Sequence, residues 1–270
     1  LGDVYKRQGT DGLGTDDIID AVHQGKLLPI LLLPAIFFGT ILTHLCGGSA
    51  GREGAALQIG GGIGYQAGRL LRLGEKDLPL ATLCGMSGVF AALFGTPLTA
   101  TVFALEVISV GVLYYAGLVP CLTAALTGYL VSVLMGVPPT RFTVMVPGLE
   151  VRTMLLVMVL ALLCAVVSIL FCRGLHGVEH LLKRTLKNPY LRVAVGAAVL
   201  IGLTLLTNGD YNGAGMEVIG RAIAGQADPW AWVWKLLFTA ITIGCGFKGG
   251  EVVPSFFVGA AFGCVAAGWL

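Results

Sequence analysis

Hydrophobic and polar positions fall in long blocks along this chain. Apolar stretches run from Leu27 to Leu45, Ala55 to Leu73, Leu78 to Leu93, Leu98 to Leu113, Tyr114 to Met135, Met154 to Cys172, Leu191 to Thr207, Trp230 to Cys245 and Phe256 to Leu270. Several are shorter than the ~20 residues that cross a bilayer as a straight helix. The pattern therefore predicts an all-α integral membrane protein in which some helices are tilted, broken or re-entrant. A polar interval from Pro138 to Glu150 divides the blocks into two groups, which predicts a first membrane region over residues 9–137, a connection over 138–150 and a second membrane region over 151–270. In each group a glycine-rich acidic turn precedes an apolar helix, the arrangement expected of a transporter built from repeats.

Composition sharpens this picture. Hydrophobic residues make up 56% of the chain and charged residues 12%, against roughly 25% charged in ordinary soluble domains; mean hydropathy is +0.86. A net charge of +2 is too small to argue for a nucleic-acid partner. The 40 glycines are scattered through apolar segments, where they let helices approach or break. Seven cysteines without CxxC spacing read as reduced packing residues. The densest basic stretch, Arg173, Lys183, Arg184, Lys187 and Arg192, is expected to face the cytoplasm. Residues 1–8 are charged and lack signal-peptide character, and the chain stops at Leu270 inside an apolar run. A fragment is expected, with 1–8 as a non-native leader and segments missing at both ends.

The candidate chemistry lies in two turns, Gly51-Arg52-Glu53-Gly54 and Gly249-Gly250-Glu251, each directly before an apolar run. A carboxylate within a membrane helix costs ~2.5–3.5 kcal/mol at its centre on insertion scales. Helix starts expose unpaired N–H groups and the positive end of the macrodipole, so such turns can hold a dehydrated anion without a full cationic side chain. Glu53 could occupy the anion position when ionised and swing away when protonated, acting as gate and proton carrier. Gly12-Leu13-Gly14-Thr15-Asp16-Asp17 is a third turn of this kind, placing Gly12, Leu13 and Gly14 beside Arg52, Gly54, Gly250, Glu251 and Val252 as anion-site candidates.

Each candidate has a plainer reading. Glu53 could cap its own helix, Arg52 could be an electrostatic neighbour, Glu251 could pair with Lys248, and Glu106, a possible secondary acid, could bond a neighbouring helix. Gly60-Gly61-Gly62-Ile63-Gly64 carries part of a GxGxxA pattern but follows no strand, so it reads as helix packing and not as a dinucleotide site. Tyr211-Asn212-Gly213-Ala214-Gly215 reads as a polar turn. His176-Gly177-Val178-Glu179-His180 fits the HxxEH spacing of a zinc protease group, with Glu179 as base and Glu217 a guessed third ligand. Gly177 weakens that helix, and an intramembrane metalloprotease is the alternative from another class.

Gly51-Arg52-Glu53-Gly54-Ala55, then Phe94-Gly95-Thr96-Pro97-Leu98 with Phe103-Ala104-Leu105-Glu106, then Lys248-Gly249-Gly250-Glu251-Val252-Val253-Pro254 come in the order found in the CLC family of chloride channels and proton-coupled anion exchangers. The resemblance covers about residues 9–270. The first motif resembles the family's GREGP, which makes Glu53 the gating glutamate. The resemblance implies a homodimer with one pore per subunit, each built from inverted repeats of tilted, broken helices. Three positions depart from the common pattern. Leu13 stands where the chloride-binding serine is found, Val107 falls at the inner proton glutamate of the exchangers, and Glu251 replaces an apolar residue of GGIFAP.

All three departures resemble the fluoride/proton antiporter branch, whose GEVTP-like motif differs from Gly250-Glu251-Val252-Val253-Pro254 by one residue, although Leu13 is not that branch's methionine. The expectation is halide transport, chloride or fluoride, across a cell membrane, coupled to protons through Glu53, with no metal, nucleotide or other cofactor. A passive chloride channel and a non-transporting scaffold are the alternatives within the family.

Overall fold

The computed structural model describes residues 28–107, 114–142, 144, 148 and 150–269. Ten α-helices account for most of these: α1 (Leu32–Leu45), α2 (Glu53–Leu70), α3 (Leu78–Phe94), α4 (Pro97–Glu106), α5 (Leu118–Leu134), α6 (Val151–Thr185), α7 (Pro189–Leu206), α8 (Met216–Ile223), α9 (Ala231–Gly244) and α10 (Val252–Ala267). A 3₁₀ turn, Tyr115–Gly117, leads into α5. Among the described residues the only extended pairing is one isolated antiparallel bridge between Gly51 and Gly250.

Among the described residues three stretches are long and apolar enough to cross a membrane: Tyr115–Leu134, Val151–Thr185 and Pro189–Leu206. The shorter apolar helices α1, α3, α9 and α10 match the short blocks of the sequence. Helix α6 departs from its block. The apolar run ends at Cys172, yet the helix continues to Thr185 through Arg173, Lys183 and Arg184. Its 35 residues give a rod about 52 Å long at 1.5 Å per residue, well beyond a hydrocarbon core of about 30 Å. The apolar part is long enough to cross that core, and the basic end can reach water without ending the helix. Gly177 does not interrupt it.

The chain forms two compact units, one from the described part of Leu1–Gly39 with Glu53–Arg141, the other from Thr40–Arg52 with Phe142–Leu270. The division falls between Arg141 and Phe142, inside the polar interval, and again within α1, so residues 40–52 group with the later half of the chain. The sequence blocks did not anticipate that second crossing.

In the first unit α3 packs against α2, α4 and α5. Its core holds Leu57, Leu83, Met86, Phe90, Leu105 and Cys121, and Phe90 stacks on Phe103 with centroids 4.5 Å apart. Glycines set the α2–α3 spacing. A Cβ on Gly60 would lie 2.7 Å from the Gly85 carbonyl oxygen, and one on Gly64 would strike the Ala81 carbonyl. The Gly60–Gly64 pattern is therefore a packing surface of the small-xxx-small kind. Helix α3 ends at Gly95, whose φ of +65° is a left-handed stop; its N–H donates to Ala91 O. Pro97 then opens α4. Arg141 Nη2 donates to Gly95 O at 3.0 Å, and Thr140 N donates to Leu93 O at 2.9 Å, so carbonyls at the end of α3 are satisfied by the polar interval.

The second unit is organised by α9, which packs on α6, α7 and α10, while α8 packs on α10. One core joins Leu200, Tyr211, Val218, Phe238, Val253 and Phe257; another joins Val167, Phe171, Leu175, Ala240, Val258 and Phe262. All seven cysteines are free thiols.

Candidate functional site

The two glycine turns are held to each other by their main chains. Gly51 N donates to Gly250 O at 2.6 Å and Gly250 N returns the bond to Gly51 O at 2.7 Å. The residues just before the pair must be small: a Cβ on Gly249 would strike the Ala50 Cβ. Gly250 stands two residues before Val252, the first residue of α10, and Gly51 stands two residues before Glu53, the first residue of α2. The four leading N–H groups of an α-helix have no partner within it. At both turns, then, the chain presents main-chain donors with the positive end of a helix dipole behind them.

The candidate side chains are not equivalent. Glu53 is 2% exposed and opens α2. A carboxylate so removed from water is expensive as an ion, and the helix start is where such a charge is least unfavourable. Gly54 is buried beside it. Arg52, by contrast, is exposed. Glu251 takes the N-cap position of α10 and is also exposed, Val252 is half-buried, and Gly250 is buried. Glu106 is exposed at the C-terminal end of α4. Gly12, Leu13 and Gly14, like residues 1–8, lie outside the described residues.

A polar seam that the sequence reading overlooked supports the first turn. Ser49, fully buried, is bonded through both main chain and side chain: its N–H donates to Thr242 Oγ1 at 3.0 Å, and its Oγ lies 3.1 Å from Thr239 Oγ1. Thr242 Oγ1 in turn donates to Phe238 O at 2.7 Å. Gly213 N donates to Gly48 O at 3.0 Å, tying the Tyr211–Gly215 turn to the same segment. Lys235, with no exposed surface, donates from Nζ to Gly213 O at 2.7 Å and Tyr211 O at 3.1 Å. Its ammonium lies 5.0 Å from the Phe257 ring centroid, within cation–π range.

Burying an ammonium costs several kcal/mol unless polar partners compensate. Two carbonyls and an aromatic face are such partners. The available signal was one lysine in the Trp230 to Cys245 apolar block, with Thr239 and Thr242 at i+4 and i+7 on the same helix face.

The HxxEH segment has another use. Glu179 Oε1 is 2.6 Å from Lys183 Nζ, one turn along α6, and His176 Nδ1 is 2.8 Å from Cys172 O. Among the described residues no three His, Cys, Asp or Glu side chains gather as a metal site would require.

Comparison with known proteins gives a consistent answer. A "Chloride/fluoride channel protein" of Pseudomonas syringae pv. tomato is 33% identical over 261 residues, 93% of this chain and 57% of that protein. A solved CLC-type fluoride/proton antiporter matches with a TM-score of 0.91 at 35% identity, covering 98% of this chain and 68% of that one. A slow cyanobacterial Cl⁻/H⁺ antiporter shares the fold, at TM-score 0.70 and 21% identity over 90% of this chain and 59% of the other. The chain thus spans little more than half the length of the Pseudomonas relative. Residues 3–270 match the sequence profile described as "Voltage gated chloride channel", and with that match over nearly its whole length the chain belongs to the CLC family of multi-pass membrane proteins.

Proposed function

We propose that this chain is the ion-pathway portion of a proton-coupled halide transporter, working as a homodimer in the cell membrane, with Glu53 as its protonatable gate. The observation that carries the reading is the burial of Glu53 at the first residue of α2, directly after a turn locked by two main-chain bonds to Gly250. On this reading the amides of the two glycine turns, Arg52–Gly54 and Gly250–Val252, bind the anion, with Gly12, Leu13 and Gly14 as further candidates from the sequence, and Glu251 is the second acidic element. Weak binding by dipoles lets the ion leave as readily as it enters.

Fluoride is the favoured substrate. Its support is the 33% identity with a chloride/fluoride channel protein and the 35% identity with a CLC-type fluoride/proton antiporter, together with the Gly250-Glu251-Val252-Val253-Pro254 motif. The test is efflux of fluoride and chloride from liposomes carrying the full-length parent protein, with pH recorded alongside. The expected result is fluoride efflux with opposing proton movement, and in Glu53→Gln loss of proton coupling while anion movement is altered or held open. Fully coupled transport in that variant would remove Glu53 from the gate; chloride efflux without proton movement in the parent would make the protein a passive channel.

A further inference from the structure

We infer that Lys235 is a positioning residue for the halide site: its ammonium fastens the Tyr211–Gly213 turn, and through that turn the Gly48–Gly51 segment, so that the paired glycine turns keep their geometry. The inference rests on the transport reading above.

Every link is a bond already described. Lys235 Nζ donates to the carbonyls of Tyr211 and Gly213; the N–H of Gly213 donates to Gly48 O; the neighbouring Ser49 is gripped by Thr239 and Thr242; and Gly51 exchanges bonds with Gly250. Lys235, Thr239 and Thr242 are each fully buried on one face of α9. That face is the only part of α9 with a cation, and it meets main chain. The carbonyls are fixed from both sides, because Tyr211 is also packed against Trp234, Phe238 and Phe257.

Gly215 closes the turn with φ +74°, and a Cβ there would lie 2.6 Å from Phe257 and 3.3 Å from Lys235 Nζ. The space around the ammonium is therefore shaped for it. An apolar chain of equal length would fill the volume but leave two buried carbonyls without their donor, a loss borne by the turn and not by the surface.

The experiment compares the full-length parent, Lys235→Met and Ser49→Ala in two readouts. One is the apparent KM and maximal rate of fluoride efflux from liposomes; the other is amide hydrogen exchange of peptides covering residues 46–52 and 249–254. Lys235→Met is expected to speed exchange at 46–52 and to raise KM by about tenfold with a smaller change in maximal rate, and Ser49→Ala to do the same by about threefold, the range one net hydrogen bond supports. If Lys235→Met does not fold, Ser49→Ala decides. Unchanged exchange at 46–52 would overturn the fastening. Faster exchange with an unchanged KM would make the seam a structural anchor only and overturn its role at the site. A parent that moves no halide would sink the transport reading instead, which the exchange data would leave visible as a separate failure.

Discussion

Replacing Gly85 by alanine should damage the first unit by a predictable amount. A Cβ at Gly85 would strike the carbonyl oxygen of Gly60, lie 2.9 Å from its carbonyl carbon and 3.0 Å from Gly64 N. All three obstacles are main chain, so no rotamer change relieves them; α2 and α3 must part. A gap of 0.5–1 Å forfeits a quarter to a half of each dispersion contact of ~0.1–0.2 kcal/mol, which over roughly 20 atom pairs is about 0.5–2 kcal/mol. Overpacking costs of about 1–3 kcal/mol overlap this range. Alanine also improves helix propensity by ~0.8–1 kcal/mol.

Gly177→Ala supplies the control for that gain, since nothing lies within 4 Å of a Cβ there. The difference between the two variants isolates the packing term, expected at about 1–3 kcal/mol, or several degrees of melting temperature at ~2–4 °C per kcal/mol for a chain of this size. The structure provides the assay: Cys121 is fully buried in this unit, so in a background with the exposed Cys46 and Cys172 replaced by serine a thiol-reactive fluorogenic dye reports release of the buried thiols on heating in detergent. If Gly85→Ala melts level with or above Gly177→Ala, the backbone contact between α2 and α3 is not there.

Asn188→Ala removes the oxygen that accepts from Tyr190 N at the start of α7 and should lower stability by ~1 kcal/mol, measured in the same melt. Gly177→Ala itself should raise the melting temperature, because α6 runs unbroken through that position and the substitution lowers the entropy of the unfolded chain by ~0.4–1 kcal/mol; a drop would mean that the glycine serves a contact.

Much of this fold can be read from block lengths because membrane helices bury their main-chain bonds locally, so an apolar run is close to a sufficient cause of a helix. The starts of α2 and α10 were legible for the same reason: a glycine-acid turn interrupts a run that otherwise has no cause to stop. The second half of α6 was not, since Glu179 and Lys183 look like a loop in a hydropathy trace but form an i, i+4 pair on a helix. The grouping of residues 40–52 with the later half of the chain depends on Ser49 finding Thr239 and Thr242, 190 and 193 residues away, a pairing no local pattern encodes. Lys235 was lost to averaging, because one charge among Trp230 to Cys245 barely lowers the mean of an apolar run.

The Gly51–Gly250 bridge has a consequence for how selectivity could change over time. Its two bonds use only amide and carbonyl groups, which every residue but proline carries, so the frame around the proposed anion site asks small size of its neighbours Ala50 and Gly249 and no particular side-chain chemistry. Arg52 and Glu251 place exposed side chains next to this frame, outside the two main-chain bonds that hold it. On the proposed transport reading, single substitutions at these two positions change ion preference and coupling without the starts of α2 and α10 having to be rebuilt.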